Sequence, residues 1–508
     1  MSLLSLSPFV HGDEGMWLFN NLPIEYLKKN YGFEPTPEWT EHLMKSSVRF
    51  NVGGSASFIS SNGLVLTNHH VASDTLFKLS DKDHNYLEDG FHAKTNAEEL
   101  KAPDLELNQL IAIKDVTAEV NAPVKDSMKP EEAVAARRAV IAKISKESLD
   151  KTGLRSDVVT LYGGGQYHLY QYKKYTDVRL VWAPEAAIAF FGGDADNFEY
   201  PRYCLDACIF RVYEDGKPAK IEHYLKWSES GPAENELVFV SGNPGRTSRI
   251  FTTAALKYQR DVRMPFALNL LRRREIVLQQ FGLQGVEHYR RAREELFGVQ
   301  NSRKAYLGML GGLQDPSVIA AKEAAEAEML KMISSDPKLA KYKDAFSAIE
   351  KVQKERAAII NQNLTFNSQL VGIALNLVQM VAEDKKPSGE RLPEYAEADR
   401  ESLEQQLFSE APIYADLEQF ILADALSRTI ELRGADDPLV VKMMNGKGPA
   451  ERAAELVAGT RLIAVPERQQ LAKGGEEAIA ASKDSMIEFA KLIDPEFRRL
   501  RKISDELA

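Results

Sequence analysis

Cysteine is nearly absent from this chain: Cys204 and Cys208 are the only two among 508 residues. They lie four apart in a stretch that reads as a strand or its approach, which would separate them by about 13 Å at about 3.3 Å per residue. A disulfide tolerates roughly 7 Å between Cα atoms, so the two are not expected to pair, and they say little about compartment. Positive charge is in deficit as well, with 64 Lys and Arg against 74 Asp and Glu and a formal net charge of −10. That balance argues against a nucleic-acid surface, because phosphate binding needs clustered cations that release counterions. No apolar run approaches the roughly 20 residues that cross a bilayer, so no membrane span is expected. The first residues also lack a charged segment followed by a long apolar one, so no export signal is read in them.

What is present is ordinary globular composition, 44% hydrophobic and 27% charged, enough apolar material for full cores. At this length more than one domain is the default. Residues 47–255 are rich in short β-like runs punctuated by Gly, Asn, Asp and Pro. The clearest is a hairpin from 56–60 to 64–67, turned by Ser61-Asn62-Gly63, since Asn-Gly accepts the positive φ of a tight turn. Further strands are predicted at 178–182, 207–213 and 237–241, with one helix at about 130–149 between them. After about residue 255 the texture becomes Ala, Leu, Glu, Lys and Gln at three- and four-residue apolar spacing. Helices are predicted at about 264–297, 316–334, 337–383, 395–409, 414–432, 449–458 and 467–491. The chain therefore divides into an N-terminal segment (1–46), a β domain (47–255) and an all-helical domain (256–508).

The strongest local signal for chemistry is Leu64-Val65-Leu66-Thr67-Asn68-His69-His70-Val71-Ala72. A histidine just past a strand suits a general base, because its unperturbed pKa near 6.5 lets it take and return a proton at neutral pH. The stretch resembles the Thr-x-x-His-Val/Cys context in which chymotrypsin-like peptidases carry that base, and within that resemblance His70 fits the position and His69 does not. A metal site is the competing use of histidine, but neither His84 nor His92 gives a familiar ligand spacing to the pair and no Cys pair accompanies them. No metal and no cofactor is expected. A base needs an orienting carboxylate held at the end of a buried strand. Asp206, immediately before the apolar run 207–212, meets that need. Asp194 and Asp196 sit in a Gly-rich loop, where bonding to the local backbone is an equally good use for them.

Three segments, Gly53-Gly54-Ser55 through Ala72, Gly192-Gly193-Asp194-Ala195-Asp196-Asn197-Phe198 with Pro201-Arg202, and Asp13-Glu14-Gly15-Met16-Trp17, together resemble the bacterial dipeptidyl-peptidase 7/11 family of serine peptidases, in the chymotrypsin-like clan. The resemblance implies a chymotrypsin-like double β-barrel with a large helical insertion. It further implies a homodimer that removes dipeptides from peptides with a free N-terminus, in the periplasm or outside the cell. Carried over by position, His70 is the general base and Asp206 its partner. Asn197, Phe198, Arg202 and Asn301 would receive the substrate's N-terminus, a task that needs acceptor oxygens at a fixed distance from the nucleophile. One departure stands out. The family's Gly-[Asn/Asp]-Ser-Gly-Ser-Pro nucleophile segment does not occur; Ser241-Gly242-Asn243-Pro244-Gly245 lacks its Ser-Gly core and reads as a turn. The expectation is one half of a double barrel followed by a helical domain, inactive without the second barrel and its serine. The alternative is a non-catalytic peptide-binding or scaffold protein with a degenerate protease barrel.

Overall fold

A computed structural model describes residues 15–507 except 52, 190, 191, 194, 246 and 247. Asp13, Glu14 and Asp194, considered above, lie outside the described residues. Eleven strands build one sheet: β1 (Ser47–Phe50), β2 (Ser55–Phe58), β3 (Leu64–Thr67), β4 (Phe91–His92), β5 (Leu100–Lys101), β6 (Leu107–Asp115), β7 (Arg155–Leu161), β8 (Gln166–Tyr175), β9 (Asp177–Ala183), β10 (Cys208–Glu214) and β11 (Lys217–Pro218). Their order is β4-β9-β10-β3-β2-β1-β6-β8-β7, with β11 beside β10 and β5 beside β9. Every pair is antiparallel, β3 with β10 and β6 with β8 included. The helices that bear on the site are α1 (His69–Leu79), α2 (Pro130–Thr152), α3 (Met264–Gly282), α4 (Val286–Gln314), α5 (Gln369–Asp384), α6 (Ala415–Arg433) and α7 (Ser485–Glu506).

The hairpin forms where Asn62-Gly63 placed it, with Phe58 opposite Val65. Gly63 is required there: its φ is 81° and an added Cβ would stand 2.8 Å from the Val212 carbonyl oxygen. Val48, Phe50, Phe58, Val65, Leu180 and Phe210 point to one side of the sheet and are fully buried. Burying each such side chain contributes about 1.5–3 kcal/mol, which fixes the register, since a one-residue slip would turn them all outward. The helical part has its own core around Leu370, Leu377, Leu422, Leu426, Met486 and Ile493. Polar contacts join the two parts. The fully buried Glu106, just ahead of β6, accepts from Arg155 at 2.6 Å and from Ser402 of the helical part at 2.6 Å.

The structure corrects several sequence expectations. Residues 237–241 are not a strand. Phe239 packs between Phe33 and Trp39 with ring centroids 5.3 and 5.2 Å away, while Val240 is wholly exposed, so the alternation finds no neighbouring strand among the described residues. The helix predicted at 264–297 is two helices, α3 and α4, broken at 283–285. That predicted at 337–383 is a 3₁₀ helix at Pro337–Tyr342 and an α-helix at Ala345–Ile359 before it breaks at 363–368, where Asn367 has φ 53° and Ser368 caps α5. That at 467–491 breaks at 482–484, because Asp484 accepts from the N–H groups of Met486 and Ile487 and starts α7. Cys204 and Cys208 are not joined in a disulfide. Among the described residues no helix is long and apolar enough to cross a membrane.

Candidate active site

The register of β3 against β10 pairs Thr67 with Cys208. Because the strands are antiparallel, the residues just after Thr67 meet those just before Cys208, and this brings His70 to Asp206. Asn68 is the last extended residue, and α1 begins at His69. His70 Nδ1 lies 2.6 Å from Asp206 Oδ2, and the His70 backbone N–H donates to Asp206 Oδ1 at 3.0 Å. Asn68 Nδ2 donates to Asp206 Oδ2 at 3.1 Å and to its carbonyl at 3.2 Å. Burial alone would raise the Asp206 pKa. The His70 imidazole and N–H, with Asn68 behind them, outweigh it and hold the carboxyl below its ordinary value. An ionised carboxylate on Nδ1 fixes the imidazole tautomer and leaves Nε2 to exchange protons with a reactant.

His70 opens into a cavity of about 170 Å³ walled on its far side by α4, from Arg293 to Asn301. Glu294, Phe297 and Asn301 recur at helical spacing, which sets them along one face of α4. Glu294 is held at the end of a short chain: the Ser73 hydroxyl donates to the His70 carbonyl at 2.9 Å and reaches Glu294 Oε1 at 3.4 Å. Burial first, then the nearby Asp74 carboxylate, push Glu294 up to about 7. His69 lines the same cavity, almost fully buried, its pKa lowered chiefly by desolvation and its Nε2 without a hydrogen-bond partner among the described residues.

The residues assigned to the substrate's N-terminus gather beside this cavity. Asn197 is fully buried; its Nδ2 donates to Asn301 Oδ1 at 2.9 Å, and its Oδ1 accepts from Arg202 Nη1 at 3.1 Å. The polar ends of Asn197 are thus taken up within the protein, and Asn301 is the member of the three that lines the cavity with His70. Phe198 follows at φ 63° and is 60% exposed. Lys304 of α4 binds Glu199 at 3.1 Å and the Ala195 carbonyl, which docks the 195–202 loop onto the helix. Among the described residues no three His, Cys, Asp or Glu side chains converge to hold a metal ion. Sequence reasoning missed Asn68, Ser73 and Glu294. The spacing of Glu294 to Asn301, two helical turns, was the available signal for the last.

Peptidase family S46 matches residues 12–508. The chain belongs to that family. Among curated relatives, the Asp/Glu-specific dipeptidyl-peptidase of Porphyromonas gingivalis is 35% identical over 275 residues, covering 49% of this chain and 38% of that protein. Dipeptidyl-peptidase 7 of Capnocytophaga gingivalis is 34% identical over 264 residues, 48% of this chain and 37% of its own length. The matched stretch is thus well under two thirds of either relative. Among solved structures, Porphyromonas endodontalis DPP11 in complex with the dipeptide Arg-Glu superposes with a TM-score of 0.75 at 23% identity, covering 98% of this chain and 76% of that one. At that identity the likeness is one of fold, an antiparallel sheet joined to a large helical region.

Proposed function

We propose that this chain carries the base and the N-terminus pocket of a serine exopeptidase that releases dipeptides from peptides with a free N-terminus. The observation that carries the reading is the cavity shared by His70 and Asn301: an imidazole, buttressed by Asp206, opens into the same space as a carboxamide tied to Asn197 and, through Asn197, to Arg202. In this reading His70 Nε2 takes the proton of a serine hydroxyl as it attacks the scissile carbonyl. It then returns that proton to the leaving amine, while Asp206 stabilises the imidazolium. Asn301, with Asn197 and Arg202 behind it and Phe198 at the rim, measures two residues back from the cut and accepts from the substrate's ammonium. Names of the relatives that contain the words dipeptidyl-peptidase support the substrate class.

The nucleophile is proposed to come from outside these 508 residues. Ser73 lines the cavity, but its hydroxyl is committed to the His70 carbonyl and to Glu294. The sheet is read as one half of a chymotrypsin-like double barrel, residues 47–255, preceded by the segment 1–46 and followed by the helical domain 256–508. The exposed apolar stretch that includes Trp227, Val238 and Val240 supports a second unit covering this side. Family resemblance extends the proposal to a homodimer in the periplasm or outside the cell. The test uses fluorogenic dipeptide substrates with the protein encoded by the whole gene. Dipeptides with a free amine are expected to be cleaved and their N-acetylated forms not, and the 508-residue chain by itself should release nothing. Equal cleavage of acetylated substrates would remove the N-terminus pocket from the account.

A further inference from the structure

One carboxyl group in the wall of the His70 cavity has no part in the proton transfer. Glu294 lines that cavity together with His70 and Asn301 and is half-buried there. Among the described residues it forms no ion pair, and its contact with the Ser73 hydroxyl is long, 3.4 Å.

The charges around Glu294 do not answer its own. Lys78 of α1 is the cation that favours its ionised form, but Lys78 is already held between Asp74 at 2.7 Å and Asp104 at 2.9 Å. That group holds two carboxylates and one ammonium before Glu294 adds its charge, and Asp74 opposes ionisation of Glu294 more than Lys78 favours it. Arg293, also in the wall, pairs with Glu88, and desolvation pushes His69 toward its neutral form. A carboxyl that faces an open cavity with surplus negative charge behind it has a place for a cation.

The rest of the wall narrows the kind of cation. Leu87, Ala186, Ala189 and Phe297 offer a hydrated inorganic ion nothing in exchange for its water, whereas a methylene chain ending in an ammonium packs its stem on them. The cavity of about 170 Å³ is little larger than the roughly 150 Å³ that holds a benzene ring, which suits a lysine side chain. Glu294 and Asn301 stand seven residues apart on one face of α4, about 10.5 Å along its axis at about 1.5 Å per residue. An extended lysine holds its two amines roughly 7 Å apart. A hydrogen bond of about 2.8 Å at either end covers the remainder.

We propose that Glu294 selects lysine as the N-terminal residue of the substrate, with the α-ammonium on Asn301 and the side-chain ammonium on Glu294. The assignment rests on the proposed function, in which Asn301 receives the substrate's free amine.

The test compares kcat/KM of the protein of the whole gene on aminomethylcoumarin amides of Lys-Glu and Lys-Leu with kcat/KM on their norleucine counterparts, which keep the stem and lack the ammonium. Lysine should be favoured at least ten-fold at pH 8. In the empty cavity Glu294 holds its proton up to about pH 7, and lysine must displace it. The preference should therefore fall about ten-fold between pH 8 and pH 6, while groups that titrate alike with both substrates cancel in the ratio. Glu294→Gln should bring the ratio to about one at both pH values, whatever it does to the two rates together. If that variant fails to fold, the pH dependence of the ratio in the parent decides. A parent ratio of one or less, a ratio that does not change with pH, or a ratio kept in folded Glu294→Gln would each overturn the selection of lysine while free-amine dipeptides are still released. No cleavage of either member of each pair, or equal cleavage of their N-acetylated forms, would instead overturn the N-terminus pocket, and the selection of lysine with it.

Discussion

Glu294 makes the wall of the His70 cavity sensitive to pH in a way that can be measured without turnover. Folded, its carboxyl stays protonated up to about pH 7, because burial and the Asp74 carboxylate oppose its charge more than Ser73 and Lys78 favour it. Unfolded, it releases its proton near its ordinary 4.5. Between those values the native state holds more protons than the unfolded chain, so this group lowers stability as pH rises, and the loss levels off above about 7. At 1.36 kcal/mol per unit the full effect is about 3 kcal/mol. Glu294→Gln cannot ionise, and its carboxamide oxygen can still accept from Ser73. The variant should match the parent near pH 4.5 and exceed it by about 3 kcal/mol at pH 8 in urea unfolding. His69 acts in the opposite sense, since its lowered pKa makes stability rise with pH. It is common to both proteins and cancels in the difference. A variant whose advantage is the same at pH 5 and pH 8 would refute the reasoning.

Other outcomes follow from the same geometry. Asn301→Leu should raise KM for free-amine dipeptide substrates about ten-fold while leaving the fold intact, read by steady-state kinetics on the protein of the whole gene, because it leaves Asn197 Nδ2 only the longer, 3.5 Å bond to the Gly192 carbonyl and leaves the ammonium without an oxygen. Gly63→Ala should cost about 1–3 kcal/mol in denaturant unfolding, given its positive φ and the close Val212 carbonyl. Phe58→Ala, at a fully buried site of the sheet core, should cost about 3–5 kcal/mol by the same measurement.

Legibility in the sequence followed the strength of local chemistry. The β2–β3 hairpin, β9 and β10 were read because an Asn-Gly turn or an apolar run marks each. The His70–Asp206 pairing was read because both residues flank such strands. Strand β8 escaped: its Gln, His and Lys residues leave no clean apolar alternation, and what holds it is pairing with β6 and β7 on either side. Residues 237–241 were misread for the converse reason, having the pattern of a strand without a partner. Helix content was legible but helix ends were not, because the breaks at 283–285 and 482–484 are set by caps and tertiary packing that leave the apolar period almost uninterrupted. The contact between Asn197 and Asn301 came from family resemblance; no local pattern ties a Gly-rich loop to a helix about a hundred residues later. Glu294 carried no signal by itself, and its position opposite Ser73 is a product of how α4 lies against α1.

The most direct test is the rate of dipeptide release by the protein of the whole gene after His70→Ala and Asp206→Asn, each compared with the parent on the same free-amine substrate. Loss of the base, or of the carboxylate that fixes its tautomer, should cut kcat by about 10⁴ while the fold persists. An undiminished rate in either folded variant would contradict the assignment of this imidazole and carboxylate to proton transfer.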